Sequence, residues 1–130
     1  MRARDPTDVR PALFLLSVST EIATAFLPIY AKTATRPDWL TPEMAAASPL
    51  LAYLVAVSVV IPFSARFVQR HGARRLAWAA MIPIALALAA MAIASDVVQI
   101  AILRGVIGVF YALAIVACQD YALEASTADG

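Results

Sequence analysis

The sequence predicts an all-α membrane protein built from four antiparallel transmembrane helices. Three observations carry this prediction. The 130 residues are 62% hydrophobic, where soluble domains lie nearer half, and a chain this small has no core large enough to hide that surface. Charged residues make up 15% of the chain, below the usual quarter, and they gather into short blocks between apolar runs. Those runs recur four times at about 20 residues, the length that crosses ~30 Å of hydrocarbon. Period-two alternation is absent, which excludes a transmembrane barrel.

The elements follow in order. Residues 1–11, "MRARDPTDVRP", form a polar N-terminal segment with Arg2, Arg4 and Arg10 but also Asp5 and Asp8. The apolar run after it contains Glu21 and lacks a small-residue cleavage site. It therefore reads as a first span, 12–31, rather than a cleaved signal. "KTATRPDWLTPE" is an interfacial turn marked by Pro37, Trp39 and Pro42. The second span covers 44–65. "RFVQRHGARR", residues 66–75, reads as a basic loop with His71 as a solvated loop residue. The third span covers 76–95. "SDVVQ" barely separates it from the fourth, 97–119, with Asp96 as the helix N-cap. The remaining 120–130, "DYALEASTADG", reads as a polar tail, truncated where a further helix would follow. Short links force neighbouring spans to run antiparallel. Pro28, Pro49, Pro62 and Pro83 fall inside spans, where neighbouring helices can satisfy the carbonyls they free.

Four spans put both termini and the basic loop on one side. That side holds Arg2, Arg4, Arg10, Arg66, Arg70, Arg74 and Arg75; the other holds only Lys32 and Arg36. Cytoplasmic loops are the ones enriched in Lys and Arg, so the termini and the loop are expected in the cytoplasm and the chain in a plasma (inner) membrane. The lone Cys118 lies in an apolar run and has no partner for an internal disulfide. No basic stretch carries the interleaved aromatics of a nucleic-acid site. No metal-ligand spacing, nucleotide-binding loop or hydrolytic constellation stands out. The reading is of a non-enzyme without metal or cofactor. Its expected partners are the lipid bilayer, a small-molecule solute, and further helices of the same protein or a second copy.

Two ionisable residues fall within spans: Glu21 in the first and Arg104 in the fourth. Such a charge costs at least ~2.5–3.5 kcal/mol at mid-membrane, so it must be paired or face water. Ser17, Glu21, Thr24 and Pro28 recur at helical spacing and predict a polar stripe, with Leu15, Ile22 and Leu27 on the apolar face. Tyr111 and Gln119 follow Arg104 on roughly one face, while Gly105 and Gly108, with Ala101 and Ala112, give the small-residue spacing of close helix packing. Counting rises of 1.5 Å per residue places Glu21 and Arg104 within roughly 6 Å in depth, so a direct or water-bridged pair is expected. Ser17, Glu21, Thr24, Arg104, Tyr111 and Gln119 are the candidate substrate or proton-coupling residues.

The stretch "ARFVQRHGARR", residues 65–75, resembles the signature loop of the major facilitator superfamily, G-x-L-x-D-R-x-G-R-[KR]. Arg70, Gly72, Arg74 and Arg75 fit, the last two offset, while Ala65 replaces the opening Gly and Gln69 the Asp. "RGVIG", Arg104 to Gly108, resembles the family's fourth-helix R-x-x-x-G. The resemblance implies a secondary transporter working by alternating access between two six-helix halves. The chain would correspond to helices one to four of one half, or to helices seven to ten. Gln69, Arg70, Gly72, Arg74 and Arg75 would then form a conformational latch, and Arg104 would serve proton coupling. Two other readings stand beside it. One is a small four-helix multidrug exporter that dimerises around a first-helix acid such as Glu21. The other is a membrane anchor or sensory membrane domain that transports nothing.

Overall fold

The computed structural model describes residues 9–128. Four helices account for nearly all of them: α1 (Val9–Thr33), α2 (Pro42–His71), α3 (Ala73–Met91) and α4 (Val97–Ala128). No β-strand occurs among the described residues; an isolated bridge joins Thr35 to Asp96. All four helices are long and apolar enough to cross a membrane. The protein is thus an all-helical, four-span integral membrane protein by length and composition. Residues 1–8 of the expected N-terminal segment 1–11, and 129–130 of the expected tail 120–130, lie outside the described residues.

The caps explain where the helices begin and stop. Thr41 caps α2: its hydroxyl accepts from the Met44 N–H at 3.3 Å, with Pro42 in the first turn. Asp96 caps α4 as expected, its Oδ1 accepting from the Val98 N–H at 3.0 Å. Between α2 and α3 stands Gly72 alone, with φ 82°. Its N–H bonds the Val68 carbonyl at 2.9 Å, and only glycine takes this φ at no steric cost.

The helices outrun the apolar runs that announced them. The basic stretch 66–71, expected as loop, is the last part of α2. Arginine and glutamine are good helix formers, and Arg70 and His71 complement the negative end of the helix dipole. Hydropathy marks where lipid ends, not where helix ends. His71 is exposed, as expected, but helical. At about 45 Å, α2 exceeds a ~30 Å hydrocarbon core. In the same way α4 runs to Ala128 rather than 119, while α3 stops earlier, at Met91.

The connections fix the up-down order. The Thr35 N–H donates to the Ser95 carbonyl at 2.9 Å, and the Val97 N–H donates back to Thr35 at 3.0 Å. The Tyr30 hydroxyl donates to the Ala94 carbonyl at 2.6 Å. This clasp holds the α1–α2 and α3–α4 connections at one end. Gly72 and the last turns of α4 occupy the other, where Val68, Ala73, Ala117 and Tyr121 pack together.

Helix α4 is the hub. It packs most extensively on α2, then on α3, and also touches α1. Mid-bundle, Leu16, Ala80, Ile84, Ala87, Ile107 and Ala114 form the main core. Gly108 is why α2 and α4 approach so closely. A Cβ there would stand 2.7 Å from the Tyr53 carbonyl oxygen and 3.0 Å from the Ala56 Cβ. At Gly105 the nearest atom would be the Ala52 oxygen at 3.9 Å, an ordinary contact. The bundle's outer surface is oily: Phe14, Leu15, Phe26, Leu51, Val55, Trp78, Ile82 and Leu86 are all exposed. In water such a patch would drive aggregation; against acyl chains it is the matching surface.

Candidate functional site

The site grows from Arg104. Placed about two turns into α4, its side chain is 1% exposed, the largest fully buried one among the described residues. Three helices surround it. From α1, the Thr24 Oγ1 accepts from Arg104 Nη2 at 2.6 Å, and itself donates to the Thr20 carbonyl at 2.7 Å. From α2, the Tyr53 ring lies under the guanidinium, 5.6 Å from Cζ to centroid, within cation–π range. From α4 itself, Tyr111 meets Tyr53 with ring centroids 5.9 Å apart. Arg104 Nε and Nη1 are buried and have no hydrogen-bond partner among the described residues.

Glu21 does not pair with Arg104 directly, against expectation. Its side chain is exposed, and no ion pair or hydrogen bond joins the two. The carboxylate nonetheless lies within electrostatic reach of both Arg104 and Tyr53. The cause is helix rotation. The buried face of α1 is Leu16, Thr20, Leu27 and Ala31, and Glu21 is one residue, ~100°, round from Thr20. The predicted polar stripe therefore lies at the edge of the buried face, with Thr24 reaching Arg104 and Glu21 turned outward. Thr24 and Ser17 are half-buried, while Glu21 and Pro28 are exposed. Of the residues expected on the apolar face, Leu27 is buried, while Leu15 and Ile22 are exposed.

Of the other candidate residues, Tyr111 belongs to the Arg104 group and Gln119 does not. Gln119 is exposed and fifteen residues on, ~22 Å along the helix. Sequence reasoning missed Tyr53 and Thr20. Tyr53 left a signal, a lone hydroxyl in the otherwise aliphatic "PLLAYLVAV". Thr20 left none beyond its four-residue spacing to Thr24.

A second group forms at the basic end. Arg70, His71, Gly72, Ala73, Arg74 and Arg75 line one wall of a cleft of about 520 Å³, and Tyr121 and Glu124 of α4 line the other. Gln69 is exposed on the last turns of α2. His71 stacks on Phe67 with ring centroids 6.0 Å apart, its Nδ1 3.1 Å from the Phe67 carbonyl oxygen. The basic connection thus stands against the end of a neighbouring helix. No protein family, curated protein or solved structure matches this chain.

Proposed function

We propose that this chain is the four-helix portion of a secondary active transporter of the major facilitator type. It works by alternating access in the plasma membrane, with proton coupling through Glu21 and Arg104. The observation that carries the reading is Arg104: a guanidinium held within a spanning helix, with two nitrogens unpartnered among the described residues and the Glu21 carboxylate of α1 within electrostatic reach. A buried guanidinium with unsatisfied nitrogens is costly, and an acceptor that arrives during function would offset that cost. Glu21 supplies one when deprotonated and swung inward; a solute supplies another. The basic connection against α4 suits the latch role, because a contact between helix ends is what rocking would break and remake. Further helices, or a second copy, would cover the exposed side of α1 and complete a cavity around Glu21.

The test needs no known solute. In a Cys118→Ala background, Glu21→Cys is expected to react with a hydrophilic methanethiosulfonate reagent in membranes. A thiolate forms only where water reaches it. Ile22→Cys, equally exposed but ~100° further round α1, is expected to stay unreactive in lipid. Equal inertness of both would remove the cavity, and with it the coupling role of Glu21. If Glu21→Cys instead reacts and cross-links to its counterpart in another molecule, the dimeric exporter becomes the better reading.

A further inference from the structure

The cleft at the basic end has more chemistry than a topological anchor needs. Anchoring requires only that cations stay out of the hydrocarbon. Here three arginines, Arg70, Arg74 and Arg75, converge on one concavity together with His71 and the end of α4. Against the carboxylate of Glu124, the three arginines leave the lining net positive. About 520 Å³ is ample for a phosphate and its substituents. The walls continue outward into apolar surface. Phe67, one turn before His71 on α2, is 50% exposed, and Trp78, one turn after Arg75 on α3, is 62% exposed. Cations over exposed aromatic rings, at the end of spanning helices, make the profile of a membrane interface. A soluble phosphate would use the arginines and leave Phe67 and Trp78 without a role.

We propose that this cleft binds the phosphate of an anionic phospholipid, with Arg70, Arg74 and Arg75 on the headgroup and Phe67 and Trp78 against the first methylenes of its acyl chains. The site shares Arg70, Arg74 and Arg75 with the proposed latch, but lipid binding there does not require that the chain transports anything. An occupied cleft would bridge α2, α3 and the end of α4, making stability at this end depend on lipid composition.

Brominated lipids test it, with the full chain in phosphatidylcholine vesicles and Trp39→Phe leaving Trp78 as sole reporter. At equal mole fraction, brominated phosphatidylglycerol is expected to quench Trp78 more than brominated phosphatidylcholine. Each cation near a membrane surface contributes about 1 kcal/mol, a factor of about five. Arg74→Gln should therefore weaken the preference about five-fold, and Arg74→Lys should keep most of it. Arg66→Gln removes the same charge from the same end but outside the cleft, where no direct bond to the headgroup is lost, and should weaken the preference clearly less than Arg74→Gln does. Equal losses for Arg66→Gln and Arg74→Gln would overturn the proposal, because diffuse surface charge would then suffice. So would displacement by inorganic phosphate at an ionic strength where chloride has no effect, because the ligand would then be soluble phosphate. Circular dichroism of each variant separates lost binding from lost helix.

Discussion

Arg104 is held by one hydroxyl and one ring, a thin set of partners for a buried cation. Replacing a buried charge by an apolar side chain of similar length is often neutral or stabilising, whereas removing its partner strands it. Thr24→Val deletes the acceptor of the 2.6 Å bond and leaves a third buried nitrogen unpaired, so it is expected to cost about 1–3 kcal/mol. Arg104→Met should leave thermal stability in detergent unchanged or raised. The double variant should then be no worse than Arg104→Met alone, since the valine has no cation left to strand. Additive losses would mean that Thr24 matters for reasons other than Arg104. The residue scale also shows what one sequence tells about a site. Arg104 and Glu21 announced themselves by charge alone. Which neighbours they meet depends on how α1 is rotated, with Leu16, Thr20, Leu27 and Ala31 packing inward. A stripe containing Glu21 and a stripe containing Thr20 are both consistent with the same run of letters. Only the packed core separates them.

Between elements, the contact with the least tolerance is α2 against α4. Gly108→Ala puts a methyl 2.7 Å from backbone at Tyr53; a carbonyl in a helix cannot turn aside as a long side chain can, so the helices must part. Overpacking of this kind costs about 1–3 kcal/mol, and parting also lifts Tyr53 from beneath Arg104. Gly105→Ala has 3.9 Å to its nearest neighbour and should cost nothing measurable, or gain slightly from helix propensity. The pair is checked by melting in detergent side by side; equal effects would show that α2 and α4 are looser than described. Small-residue spacing picked out both glycines from the sequence, but it could not rank them, because the ranking lies in which one faces the Tyr53 carbonyl. Helix ends were legible where a cap is chemical, at Asp96. They were hidden where good helix formers carry the chain past the lipid, from Arg66 to His71. There the single glycine, not the charge block, ends the helix.

For the molecule as a whole, the two ends differ in kind. One end is closed by the Thr35–Ser95, Thr35–Val97 and Tyr30–Ala94 bonds and carries Lys32 and Arg36 as its cations. The other carries Arg66, Arg70, Arg74 and Arg75 within a ten-residue stretch. Drawing four guanidinium groups through hydrocarbon costs at least ~2.5–3.5 kcal/mol each on insertion scales. That is about 10–14 kcal/mol together, about twice what Lys32 and Arg36 could oppose on the same scale. The expectation is that Arg66 and the three arginines of the proposed lipid cleft set the orientation and stay on the cytoplasmic side. The prediction uses cysteines that spare every arginine, again with Cys118 replaced by alanine. Asp38→Cys lies in the exposed α1–α2 connection and His71→Cys in the exposed last turn of α2. A membrane-impermeant maleimide added to intact cells should label Asp38→Cys at once, and His71→Cys only after the membrane is opened. The opposite pattern would place the arginines outside. It would remove the charge argument for orientation and any cytoplasmic role for the connection at Gly72. Labelling of both without opening would mean the helices do not span at all, and the exposed Phe14, Leu51 and Leu86 would then need a protein partner rather than lipid to cover them.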